Sequence, residues 1–100
     1  MADTREIYDE FPYPRCRMDL RDRRQLEELS RFRILSTGLG PADFAGRSVL
    51  DLACGSGEFT ASIASWGTAR ALGIDQSERA ISFARELPGR FGIDGLEFCT

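Results

Sequence analysis

Two carboxylates and a pair of glycines set the chemistry open to this sequence. Asp51 interrupts the strand-favouring run Val49-Leu50-Asp51-Leu52, Gly55-Ser56-Gly57 follows almost at once, and Asp75 comes twenty positions after Gly55. Glycine permits a tight turn and lets backbone come close to a ligand at the start of a helix. A dinucleotide-binding turn needs Gly-x-Gly-x-x-Gly, and position 60 is Thr rather than the third glycine. Glu58 stands in the first helical turn, where the helix dipole favours an acid but a bound pyrophosphate would be repelled. The residues point away from NAD and towards a ligand with an adenosine and a positive centre but no phosphates.

A strand, a turn and a helix must hold these groups. The apolar run predicts a first strand over 48–53. Phe59, Ile63 and Trp66, at i, i+4 and i+7, predict a helix over 58–66 that Gly67 ends. A second strand follows over 70–75. Ser77 caps a second helix that runs to about Leu87, with Ala80, Ile81, Ala84 and Leu87 facing the sheet and Pro88-Gly89 stopping it. A third strand starts near Leu96. Strand–helix–strand–helix–strand is one half of an α/β, Rossmann-like doubly wound sheet, in the spatial order 3-2-1. Strand 1 would then be an edge with a buried-type apolar sequence, an arrangement prone to association. On this ground residues 41–100 are expected to be the first half of such a domain, within a longer protein.

Residues 1–40 read as an N-terminal arm and helical cap. The arm is acidic and aromatic, with a short turn of helix over 4–10 and an extended stretch around Pro12 and Pro14. Residues 19–36 predict one amphipathic helix with Asp19 as N-cap, Leu20, Leu26, Leu29, Phe32 and Leu35 as its apolar stripe, and Gly38 just past its end. Arg23 with Glu27, or Glu27 with Arg31, pair at i, i+4. A connector over 39–47 carries Gly40-Pro41 and Gly46.

Composition bounds the rest. The chain has 100 residues, 42% hydrophobic and 29% charged, so it holds one small domain at most. Cys16, Cys54 and Cys99 show no metal-ligand spacing and read as reduced thiols of a cytoplasmic protein, with no metal site. No apolar run reaches the ~20 residues of a membrane span. All 13 basic residues are arginine and there is no histidine, which excludes a histidine base within these residues. A net charge of −3 argues against nucleic acid as the dominant partner.

Val49-Leu50-Asp51-Leu52-Ala53-Cys54-Gly55-Ser56-Gly57 resembles the first motif of class I S-adenosylmethionine-dependent methyltransferases, Val-Leu-Asp-x-Gly-Cys-Gly-x-Gly. Ala53 stands where glycine is more common. Gly73-Ile74-Asp75-Gln76-Ser77 resembles the family's second motif, an acid ending the second strand. The resemblance covers residues 48–100. It implies S-adenosylmethionine as cofactor, with Asp75 accepting from both ribose hydroxyls and Gln76 flanking the adenine. Ala53, Gly55 and Gly57 would supply backbone around the methionine and ribose, and Asp51 a negative charge towards the amino and sulfonium end. Two features stay open: the arm either packs its aromatics on the body or forms a flap bearing Tyr8 or Tyr13 over the cofactor, and the arginines either line a solvated face or, as the resemblance suggests, place Arg17 or Arg21 on the cofactor's carboxylate. The implied reaction is methyl transfer to a small-molecule nucleophile, with no nucleic-acid or membrane partner and no catalytic residue named among these positions. An aminopropyl transferase on the same fold and a non-catalytic binding or assembly module stay open.

Overall fold

The computed structural model describes Leu20 and residues 22–100, apart from the side chain of Phe32. The expected helix turn over 4–10, the Asp19 cap, the flap tyrosines, Cys16, Arg17 and Arg21 lie outside the described residues. In chain order the elements are α1 (Arg23–Leu29), α2 (Arg31–Leu35), α3 (Pro41–Phe44), β1 (Ser48–Leu52), α4 (Glu58–Ala64), β2 (Arg70–Ile74), α5 (Glu78–Ala84), α6 (Leu87–Phe91) and β3 (Leu96–Cys99).

The strands form one parallel sheet in the order β1-β2-β3, the 3-2-1 order that the α/β reading requires. The register places Asp51 opposite Gly73, and Gly73 opposite Phe98. Alternation along the strands sends Ala71, Gly73, Leu96 and Phe98 to one face, where all are buried. There they join Leu26, Ala61, Ala64, Ile81, Ala84, Leu87, Phe91 and Ile93 in a single core. The opposite face carries Leu50, Leu52, Leu72 and Ile74. Leu50 and Leu52, on β1 at the sheet edge, are 58% and 69% exposed.

Both βα turns form where the sequence places them. β1 and β2 each end one residue early, at Leu52 and Ile74; Ala53 turns out of β1 at φ +61°, and Asp75 stands just past β2. α4 ends at Ala64 rather than Trp66, and Gly67 follows at φ +94° with its carbonyl accepting from the Gly46 N–H at 2.8 Å. Ser77 caps α5, its hydroxyl accepting from the Ala80 N–H at 3.1 Å. Pro88-Gly89 does not simply stop this helix. After Ala84 the chain breaks, and Pro88 then sits in the first turn of α6, where a missing N–H costs no helical hydrogen bond.

The cap departs from expectation at Ser30, which divides the single helix into α1 and α2. The Ser30 N–H donates to Ser62 Oγ at 3.1 Å and the two hydroxyls lie 2.7 Å apart, so a bond to α4 replaces helical continuity. Asp22 caps α1, accepting from the Gln25 N–H at 2.9 Å. Leu26 is buried and Leu29 half-buried as the stripe requires, but Leu35 is 65% exposed. Arg23 pairs with Glu27 at 3.4 Å, whereas Arg31 pairs with Glu28. Trp66 Nε1 donates to the Glu27 carbonyl at 2.9 Å and Arg23 Nη1 to the Gly92 carbonyl at 3.3 Å, which fastens the cap over α4 and the end of α6. The connector holds the short helix α3, begun by Pro41, with Asp43 accepting from the Gly40 N–H at 2.8 Å.

Candidate functional site

The carboxyl ends of β1 and β2 open on the same side, which is where parallel α/β sheets bind ligands. Two adjoining hollows lie there. One, of about 370 Å³, runs along the open edge of β1 from Phe44, Val49 and Leu50 to Asp51, Ala53, Cys54 and Gly55, with Arg33 and Phe59 beside it. The second, of about 270 Å³, is lined by Ala53, Ile74, Asp75 and Gln76. Ala53 belongs to both, so the two form one crevice bent around the β1–α4 turn. Of the residues named from the sequence, Asp51, Ala53, Gly55, Asp75 and Gln76 are brought together along it.

Gly57 lines neither hollow. It is buried at φ +87°, and a Cβ placed there would come within 2.7 Å of both Ala84 Cβ and the Phe98 ring. Its demand for glycine comes from the packing of the turn against α5 and β3. Gly55, at φ +61°, keeps the turn left-handed on the crevice side. Ala53 takes the same conformation with a side chain, at a cost of roughly 1 kcal/mol or more.

Asp75 is 4% exposed. Its Oδ2 accepts from the Gly55 N–H at 2.9 Å and its Oδ1 from the Ser77 N–H at 2.9 Å. One carboxylate thus ties the glycine turn to the start of α5. A carboxylate offers about four lone-pair sites, so each oxygen retains capacity for a further donor. Asp51 is half-buried on β1, and its Oδ2 accepts from Thr60 Oγ1 at 2.6 Å. Glu58 is buried, its Oε2 accepting from Ser56 Oγ at 2.5 Å. Two acids along the crevice, Asp51 and Asp75, and a third buried in the adjoining turn give this end of the sheet the negative character suited to a cationic ligand. Burial, Asp51 and Asp75 together push the Cys54 thiol up to about 12, so it stays neutral and is a poor nucleophile. Among the described residues no group of acids and cysteines is arranged to hold a metal ion.

Three residues here were not singled out from the sequence for these roles. In the sequence Thr60 stands out only as the absent third glycine. Ser56 satisfies Glu58 within the turn. Arg33 stacks its guanidinium 4.6 Å from the centroid of Phe59 and lines the larger hollow. The arginine excess of the cap was the available signal for Arg33, but it does not say which arginine reaches the crevice.

Comparison with known proteins bears on this geometry. A family described as "Methyltransferase domain" matches residues 43–100. A ribosomal protein L11 methyltransferase of Edwardsiella ictaluri is 42% identical over 53 residues, covering 53% of this chain and 18% of that protein. The 7SK snRNA methylphosphate capping enzymes of mouse and human are 51% and 45% identical, over 48% and 59% of this chain but 7% and 8% of their own length. The chain therefore spans less than a fifth of the length of these relatives. Among solved structures, protein 1320 of Thermoplasma acidophilum matches with a TM-score of 0.55 and 20% identity, covering 80% of this chain and 46% of that one. A Pyrococcus horikoshii protein assigned as an RNA methyltransferase matches with a TM-score of 0.51 and 21% identity, covering 76% and 33%. These two support the fold. The expectation of a small-molecule acceptor and no nucleic-acid partner is overturned by the relatives, whose names carry a ribosomal protein and an RNA. Net charge averages over a chain whose arginines cluster before residue 34, so it does not decide the class of acceptor. Among the described residues no helix is long and apolar enough to cross a membrane.

Proposed function

Because the chain belongs to the class I S-adenosylmethionine-dependent methyltransferase family, as part of its domain, we propose that it binds S-adenosylmethionine in the β1/β2 crevice and serves methyl transfer to a macromolecular acceptor. The observation that carries this is the Asp75 carboxylate. It is fixed by two backbone donors at the end of β2, with lone pairs left over, next to a left-handed turn and a second acid.

When bound, S-adenosylmethionine would supply an activated methyl group on a sulfonium whose leaving group is a neutral thioether. The chain's own contribution is binding, alignment and exclusion of water. Asp75 accepts from the ribose hydroxyls, and Gln76, exposed beside it, flanks the adenine. Gly55 and Ala53 present backbone along the ribose and methionine. Asp51 faces the amino and sulfonium end, where its charge opposes that of the ligand. Arg33, held against Phe59, is the described arginine placed to meet the methionine carboxylate. In this reading residues 41–100 are the first half of the domain, preceded in sequence by an N-terminal arm and cap helix within 1–40.

The test has two arms. Calorimetric titration should show binding of S-adenosylmethionine or its demethylated product and no binding of NAD. Incubation with radiolabelled cofactor should transfer label to an RNA or protein fraction of a cell extract rather than to small solutes. Tight NAD binding without binding of the sulfonium cofactor would sink the reading.

A further inference from the structure

Thr60 has no place in the roles assigned so far, yet its hydroxyl makes one of the shortest side-chain contacts at the crevice. It lies in the first turn of α4, 1% exposed, and donates from Oγ1 to Asp51 Oδ2 at 2.6 Å. Among the described residues it is the side chain that hydrogen-bonds Asp51. Asp51 stands on the helix-covered face of β1 opposite Gly73, where the Phe98 ring and Cys54 Sγ fill the place of a side chain and neither offers the carboxylate a strong hydrogen-bond donor. A half-buried carboxylate on a strand keeps rotational freedom about its terminal torsion unless a donor fixes it. Thr60 supplies that donor to one oxygen and leaves Oδ1 without a donor among the described residues, in a residue that lines the larger hollow.

We propose that Thr60 is a positioning residue: by holding Asp51 Oδ2 it turns Oδ1 to the crevice to receive the ammonium group of the cofactor's amino-acid moiety. This rests on the cofactor reading above. It also explains why threonine serves at position 60, where a dinucleotide turn has glycine. In a dinucleotide turn a glycine there lets helix and strand pack closely, but it would leave Asp51 loose, whereas threonine fixes an acid for a cation. Its β-branched side chain in α4 is restricted at χ1, so the hydroxyl is delivered with little loss of freedom.

The test uses the intact protein and two probes, S-adenosylhomocysteine and 5′-methylthioadenosine, the second retaining ribose and adenine but lacking the amino acid. Thr60→Val, which keeps the shape and removes the hydroxyl, should weaken S-adenosylhomocysteine about tenfold or more, as loss of a hydrogen bond to a charged group does. It should leave 5′-methylthioadenosine within about twofold of wild type, and Thr60→Ser should restore binding. On an Asp51→Asn background Thr60→Val should add no further loss. Equal weakening of both probes, no weakening of either, or failure of serine to rescue would overturn the inference. Wild-type protein that binds neither probe would overturn the cofactor reading itself.

Discussion

The Asp75 carboxylate reaches back to the Gly55 N–H, 2.9 Å away and twenty residues earlier in the chain. A residue chosen from the sequence for a ligand therefore also closes the turn that shapes the ligand's site. Binding and local structure are coupled at this one side chain, and substitutions there read out both.

Asp75→Ala would remove two charge-assisted bonds to backbone, so loss of affinity in that variant mixes site and scaffold. Asp75→Asn keeps one of the two bonds. Its carbonyl oxygen can still accept from Ser77, while its amide nitrogen would face the Gly55 N–H, donor against donor. Each hydrogen bond to a charged group is worth ~1.5–3 kcal/mol, so S-adenosylhomocysteine should bind at least tenfold more weakly to D75N. The buried donor–donor clash at Gly55 also costs the fold, so the melting temperature should fall by roughly 5–15 °C, less than in Asp75→Ala. Calorimetry and a thermal melt on the same sample check both, and unchanged affinity would remove Asp75 from the ribose role.

Ala53 and Gly57 make opposite predictions about the same turn. Ala53→Gly relieves a side chain held at φ +61° and should stabilise by about 1 kcal/mol, seen as a higher denaturant midpoint. Gly57→Ala puts a Cβ 2.7 Å from Ala84 and Phe98 in a left-handed conformation, and should cost roughly 2–4 kcal/mol. If Gly57→Ala were neutral, the close packing of the turn on α5 and β3 would be wrong.

Cys54 should be chemically quiet. With its thiol pushed up to about 12 by burial and two acids, little thiolate exists at pH 8. Allowing for solvent screening, alkylation by iodoacetamide should run on the order of a hundredfold slower than for an unfolded thiol. The folded state favours the protonated thiol, so this contribution to stability is present below pH 9 and lost as pH rises towards 12. Cys54→Ala should flatten that alkaline decline. Rapid labelling of native Cys54 at pH 8 would contradict the assignment.

The strands, the Ser77 cap and the left-handed glycines could be read directly, because each depends on local spacing or on one backbone angle. The crevice followed from topology once three parallel strands were in hand. What could not be read depends on contacts between segments far apart in sequence. The break at Ser30 answers to Ser62, thirty-two residues on, and nothing in the periodicity of residues 19–36 marks it. Thr60 and Asp51 are nine residues apart, in two elements whose relative placement only the folded turn sets. Proline both ends and begins helices, and the sequence alone does not say that Pro88 sits in the first turn of α6.

The last prediction concerns the sheet edge. Leu50 and Leu52 lie 58% and 69% exposed on β1, whose outer backbone groups pair with no other described strand. An edge with apolar side chains and free N–H and C=O groups is a template for pairing with another chain. Residues 1–100 expressed by themselves should self-associate at micromolar concentration, with the β1 amides poorly protected from hydrogen exchange. Introducing charge on the exposed positions, as Leu50→Lys with Leu52→Glu, should shift the population to monomer in light scattering without loss of helical signal. The core of Leu26, Ile81 and Phe98 lies on the other side of the sheet and is left intact. A cooperatively melting monomer of the unaltered segment, with β1 protected from exchange, would require some other part of the chain to cover Leu50 and Leu52. Residues 1–19, which lie outside the described ones, would then be the first place to look, by repeating the exchange measurement after their removal.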